Sequence, residues 1–161
     1  MEPSIRHATE ADLERISEIY NHYIVDSHVS FDTEAWPEER RRQWWEHYQR
    51  SVLVAEQDGA VVGTAYAGPY RHKAAYASSV ETTVVLDPAA TGTGLGTALL
   101  GALIELLREQ GVHRAYAIIA LPNEASVAVH HKLGYREIGT LDEVGFKVGR
   151  YWSTLMMELR L

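Results

Sequence analysis

Apolar positions along the 161-residue chain change period repeatedly, and each change marks the border of an element. Ile5 to Ala8 reads as a short strand. Leu13, Ile16, Ile19, Tyr20, Tyr23 and Ile24 then recur at helical spacing, behind a Thr9 and Asp12 pair with the spacing of a capping box. Pro37 suits the first turn of a second helix running toward Arg50, whose Trp44, Trp45 and Tyr48 make an aromatic side that reads as core packing. Ser51 to Glu56 and Ala60 to Tyr66 are apolar runs joined by Gln57-Asp58-Gly59, a hairpin signature. Val80 to Leu86 is the next strand. After it come an apolar helix from Leu95 to Gln110, closed by Gly111, and a strand from Arg114 to Leu121 that Pro122 stops, together a crossover unit. Asn123 caps a helix running to Leu133, Gly134 ends it, and Tyr135 to Thr140 and Tyr151 to Leu161 supply two final strands. The pattern predicts an α/β fold in one domain over residues 1–161. Its sheet is mixed, antiparallel at first and splayed or parallel around the central glycine turn, with helices on both faces.

That turn lies in V-V-L-D-P-A-A-T-G-T-G-L-G-T-A-L-L, from Val84 to Leu100. Gly92, Gly94 and Gly96 let the backbone take φ > 0 and come close to a ligand. The helix beginning near Leu95 directs its unpaired N–H groups and positive dipole end the same way, which makes a cradle for phosphate. A dinucleotide fingerprint would place its third glycine where Thr97 stands, and a P-loop would need a Gly-Lys-Ser/Thr that is missing here.

Composition narrows the guest. The chain has no cysteine, which removes disulfides, thiolate nucleophiles and zinc-thiolate sites and fits a reducing compartment; no resident metal is expected. No apolar run reaches the ~18 residues of a membrane span, and Met1 to Ser4 does not read as a secretion signal, so a cytoplasmic protein is expected. A net charge of −7 argues against nucleic acid as partner, with Arg40, Arg41 and Arg42 read as a solvated helix face beside Glu38 and Glu39.

The block V-x-L-x-P-x-x-T-G-T-G-L-G, followed by Asn123 and the run H-H-K-L-G-Y, resembles the GNAT acyltransferases. More narrowly, F-D-T-E, A-Y-A-G-P-Y, V-E-T-T-V, L-P-N-E-A-S-V and V-G-F-K-V-G-R-Y-W resemble the phosphinothricin N-acetyltransferases across nearly the whole chain. The resemblance implies a GNAT fold, its mostly antiparallel sheet splayed at the acyl-CoA site, and acetyl-CoA as donor. Backbone N–H groups of Thr91, Gly92, Thr93, Gly94, Leu95, Gly96 and Thr97 would hold the pyrophosphate. Val84, Val85 and Leu86 would pair with the pantetheine arm like an added strand, and Asn123 would bind the same arm. The family usually carries Gln or Arg where Thr91 stands, and a cradle built from backbone tolerates that change.

Amine acetylation needs a base for the amine, donors for the thioester carbonyl and a proton for the departing thiolate. Glu81 is the candidate base, a carboxylate on a strand otherwise made of Val, Thr and Leu, where burial would raise its pKa. The competing reading is an outward-facing strand residue. His130 stands two helical turns after Asn123 at a position where many GNAT enzymes carry Tyr. It could protonate the thiolate or relay the amine proton, or be structural, as neighbouring His131 is read. The loop from Tyr70 to Tyr76 brings Arg71, Lys73 and Tyr76 beside the catalytic strand, suited to the carboxylate or phosphinate of a small zwitterion, or else simply solvated. Phe31, Thr83, Lys147 and Tyr151 lie in blocks that line the acceptor pocket in the family.

The expected activity is direct transfer of acetyl from acetyl-CoA to a small amino-acid-like amine of the phosphinothricin, methionine sulfoximine or methionine sulfone type. Alternatives are a GNAT enzyme acting on a peptide terminus or polyamine, a non-catalytic acyl-CoA sensor, and a dinucleotide-binding module. A homodimer is expected from the resemblance and from the aromatic Trp36 and Trp152.

Overall fold

The structure, a computed structural model, describes residues 2–161. Strands β1 (Ser4–His7), β2 (Val52–Gln57), β3 (Ala60–Pro69), β4 (Ser79–Leu86), β5 (Arg114–Ala120), β6 (Arg136–Lys147) and β7 (Arg150–Arg160) form one sheet in the order β1-β2-β3-β4-β5-β7-β6. Helices α1 (Leu13–Asp26) and α2 (Glu38–Tyr48) cover one face, and α3 (Leu95–Glu109) and α4 (Glu124–Lys132) are on the other. β2 shows why its sequence reads as an unbroken apolar run. Val52 and Val54 pack under α1 and α2, whereas Leu53 and Ala55 pack under α3, so both faces are dry. The capping box at the entry to the first helical segment is present, with the Thr9 amide donating to Asp12 Oδ2 at 2.7 Å.

Every neighbouring strand pair is antiparallel except β4 and β5, which run parallel and pair only at Ser79–Arg114, Val80–Ala115 and Glu81–Tyr116. Beyond that point β4 stays with β3 as far as Leu86, and β5 stays with β7 as far as Ala120. The sheet therefore forks, and one edge of β4 is left facing a gap.

Two expectations need correcting. β6 does not end at Thr140 but runs on to Lys147, joined to β7 by a tight turn in which Val148 and Gly149 both have positive φ. Register shifts at Glu137/Gly139 and Leu141/Gly145 break the alternation that would have marked the longer strand. Trp36, expected at a dimer surface, is 7% exposed and stacks on Tyr20 in the core under α1.

Candidate active site

A cavity of about 510 Å³ occupies the fork. Thr82 to Leu86 of β4 form one wall, Ala117 to Ala120 of β5 the other, the glycine turn and α3 the floor, and Asn123, Ser126, Val129 and His130 of α4 a flank. α1 and the segment after it add Tyr20, Tyr23, Val29 and Ser30, and Tyr23 Oη donates to the Leu86 carbonyl at 2.7 Å.

The turn itself is braced from behind. Asp87 Oδ1 accepts the Ala89 amide at 2.9 Å and pairs with Arg15, while the hydroxyls of Thr91 and Thr93 donate back to the carbonyls of Pro88 and Ala90 at 3.0 Å. Gly92 (φ +76) and Gly94 (φ +82) are left-handed, as expected, and Gly94 is the N-cap of α3. With no capping side chain there, the N–H groups of Leu95, Gly96 and Thr97 point out of the helix without intrahelical acceptors, at its positive end. Gly96 differs from the expectation. It is an ordinary helical residue, and a Cβ there would meet Leu86 and Val129 methyls no closer than 3.5 Å. The residues present thus fit a pyrophosphate: open amides, a left-handed approach and a dipole of the right sign.

Glu81 sits at the crotch of the fork, one residue before the cavity wall begins, opposite Gly68 on β3 and Tyr116 on β5. Along β4, Val80, Val84 and Leu86 join the core under α3, whereas Val85 joins the core under α1. Glu81 and Thr83 share the face of Val85. The carboxyl is half-buried, and burial pushes its pKa above the ordinary range. Its charge is felt by Tyr20 and Tyr48. Tyr48 comes that close because Gly68 lacks a side chain: a Cβ there would lie 1.9 Å from the ring. Tyr66 Oη reaches Tyr20 Oη at 3.3 Å and Thr83 as well.

On α4, Asn123 Oδ1 accepts the Ser126 amide at 3.2 Å, so it is a true N-cap, and its NH₂ group is not used by that bond. His130 is buried, with Nδ1 at 2.7 Å from the Ser126 carbonyl. Nδ1–H therefore donates, and Nε2 keeps a lone pair with no hydrogen-bond partner among the described residues. Burial is the main cause that lowers its pKa and keeps it neutral. His131 is exposed and pairs with Glu137, as its bland reading had it.

The expected acceptor residues scatter. Thr83 lines the cavity, but Phe31, Arg71, Lys73, Tyr76, Lys147 and Tyr151 do not. Arg71 lies over the Tyr70 ring, and Tyr76 packs edge-on against the same ring. Tyr70 in turn stacks on Tyr116 at 4.6 Å, which keeps this exposed loop beside the fork. Lys147 is buried and donates to the carbonyls of Ser30 (2.6 Å) and Tyr23 (3.4 Å), holding the segment after α1 rather than facing the cavity. Phe31 rests on Gly145, whose missing Cβ would stand 2.3 Å from the ring. Tyr151 is exposed and packs against Phe146. The sequence reading missed Tyr20, Tyr23, Val29, Ser30 and the β5 wall. The two tyrosines were already visible as the polar-tipped members of an apolar helical stripe.

Residues 16–135 match the Acetyltransferase (GNAT) family. The chain is 42% identical, over 98% of its length, to a phosphinothricin N-acetyltransferase of Streptomyces coelicolor, of which it covers 95%. It is 36% identical to an L-methionine sulfoximine/L-methionine sulfone acetyltransferase of Salmonella typhimurium, covering 98% of this chain and 94% of that one. A solved GNAT superfamily phosphinothricin acetyltransferase from Sinorhizobium meliloti, in complex with acetyl-CoA, superposes with a TM-score of 0.93 at 32% identity, covering 100% of this chain and 89% of its own.

Proposed function

This chain belongs to the acetyltransferase (GNAT) family, and on that premise we propose that it transfers acetyl from acetyl-CoA to the amine of a small amino-acid-like acceptor, of the phosphinothricin or methionine sulfoximine/sulfone type. The observation that carries the reading is the fork: an open strand edge leads from the amide cradle at α3 to a half-buried carboxyl at its base. Acetyl-CoA supplies a thioester carbonyl and a thiol leaving group. The amides from Thr91 to Thr97 hold its pyrophosphate, the β4 edge at Val84, Val85 and Leu86 receives the pantetheine arm, and the free NH₂ of Asn123 bonds the same arm.

Glu81 takes the proton that an ammonium must lose before its nitrogen can attack, and its raised pKa brings it nearer to the working pH than an ordinary carboxyl. His130 flanks the cleft and is neutral, its Nε2 buried and without a hydrogen-bond partner among the described residues, which favours relay of the amine proton over donation from a charged imidazolium. Arg71 and Lys73, kept beside the fork through Tyr70, suit an anionic group on the acceptor and disfavour a polyamine. Phe31 and Lys147 act on the acceptor side by shaping the segment that carries Val29 and Ser30. Tyr151 has no contact among the described residues that ties it to the cleft. The enzyme is read as a cytoplasmic homodimer, with the exposed apolar side chains of the β6–β7 hairpin supporting self-association.

One panel tests the function. Thiol release from acetyl-CoA is followed with phosphinothricin, methionine sulfoximine, methionine sulfone, common amino acids, an alanine-ended peptide and spermidine. Fast turnover of the first three is expected. Turnover with the peptide or spermidine alone overturns the acceptor class, and acetyl-CoA binding without thiol release from any of them leaves a sensor.

A further inference from the structure

The fork needs something to hold it open at a fixed place, and a buried pair of hydroxyls stands where the ladder stops. The last paired residues of β4 and β5 are Glu81 and Tyr116. At the next residue, Thr82 Oγ1 donates to the Tyr116 carbonyl at 3.3 Å, and the Tyr135 hydroxyl lies 2.8 Å from Thr82 Oγ1. A threonine hydroxyl has one hydrogen, so Tyr135 donates to Thr82 while Thr82 donates to Tyr116. Burial keeps the Tyr135 phenol protonated, with a pKa of about 12, and so keeps it a donor. Both side chains are inside the apolar core, Tyr135 at 2% and Thr82 at 4% exposure. Phenylalanine would fill the same volume as Tyr135 without an oxygen to satisfy, so the hydroxyl calls for a role.

We propose that Tyr135 and Thr82 are positioning residues for acetyl-CoA: the Tyr135 hydroxyl orients the Thr82 hydroxyl onto the Tyr116 carbonyl, and that bond fastens β4 to β5 at the point where the strands part and so fixes where the cleft begins. This rests on the reading of the cleft as the acetyl-CoA site. The Thr82 hydroxyl fastens the strands at the carbonyl of the last paired residue of β5, and beyond it no further β4–β5 pairing follows. Tyr135 also grips the opposite flank. Its amide donates to the His130 carbonyl at 3.0 Å, and its ring meets the His130 imidazole edge-on with centroids 4.9 Å apart. The same residue thus ties the strand fork to the helix that carries Asn123 and His130, yet does not line the cavity itself.

Acetyl-CoA is titrated calorimetrically into wild type, Tyr135→Phe, Thr82→Val and the double variant, with thermal melts and steady-state kinetics on each. Tyr135→Phe and the double variant are expected to weaken acetyl-CoA about tenfold, with acceptor KM moving less than about twofold. Thr82→Val strands a buried phenol and should melt lowest. The double variant removes both polar groups, so it should regain the melting temperature but not the affinity. A merely structural pair would regain both. Wild-type affinity in Tyr135→Phe overturns the proposal, including the case where Thr82→Val alone binds weakly, since that reports direct contact by Thr82. A wild type that fails to bind acetyl-CoA overturns the reading of the cleft and this role with it.

Discussion

Replacing Glu81 with Gln keeps the shape of the side chain and removes its basicity. The variant should lose ~10²–10⁴ in kcat near neutral pH while binding acetyl-CoA as before, and calorimetry beside steady-state kinetics checks both halves. Stability should move the other way. A carboxyl whose pKa is raised on folding holds more protons in the native than in the unfolded state, so its contribution is present in acid and lost as pH rises through the folded value. Thermal melts should therefore show Glu81→Gln gaining on wild type above that pKa, with the gap closing below ordinary carboxylate pH. A variant that is both active and no more stable than wild type would make Glu81 a surface residue. His130 has the opposite sign. Its lowered pKa makes the stability it contributes present above its ordinary pKa and lost as pH falls toward the folded one. Glu81 drew attention in the sequence as a carboxylate on an apolar strand, and His130 by its place two helical turns after Asn123; the structure puts the first beside the cavity and the second on its flank. The place of Lys147 could not be read there, because a family block says nothing of where the end of a long side chain goes, and its ammonium turned out to bond Ser30 and Tyr23 carbonyls.

The start of α3 and the β6–β7 hairpin carry the effects that belong to whole elements. A side chain at Gly94 has open space around it, so the cost of Gly94→Val lies in its left-handed backbone (φ +82) at the N-cap. Reorienting that turn should cost at least ~1.4 kcal/mol of acetyl-CoA affinity, a factor of ten, with circular dichroism unchanged; equal binding by calorimetry would remove the turn from the cofactor site. Gly96→Ala, in an ordinary helical conformation with ordinary contacts, should be far milder. Through Lys147 the hairpin reaches the segment after α1. Lys147→Met keeps the buried stem and frees the Ser30 carbonyl, so acceptor KM should rise while acetyl-CoA KM stays near wild type. The glycine turn was readable because strand, glycines and helix start adjoin in sequence. The outer half of β6 was not, because its two register shifts hide its alternation, and its pairing with β7 depends on the tight turn at Val148-Gly149.

For the molecule as a whole, local patterns were enough to order the elements, since strands buried on both faces and one-sided helices read directly. The fork was only partly visible: a splayed or parallel region could be expected around the glycine turn, but the point where β4 parts from β5 is marked by contacts between residues 82, 116 and 135, far apart in sequence. The same limit applied to the outer surface, where Trp36 looked like an interface residue and lies in the core. What the surface does show is an apolar group along the edge strand β6, its turn and the start of β7: Ile138, Leu141, Val144, Val148, Tyr151 and Phe146, the last 62% exposed. An edge strand with such side chains is a liability for a monomer and a contact for a dimer. Sedimentation equilibrium should therefore find wild type as a dimer. Phe146→Glu with Val148→Glu places two charges on that surface, where no core packing is lost, and should shift the equilibrium to folded monomers. The amide cradle draws its residues from the turn after β4 and the start of α3, so acetyl-CoA affinity should survive in those monomers. A wild type that sediments as a monomer, or a doubly charged variant that stays dimeric, would move the association surface away from the hairpin.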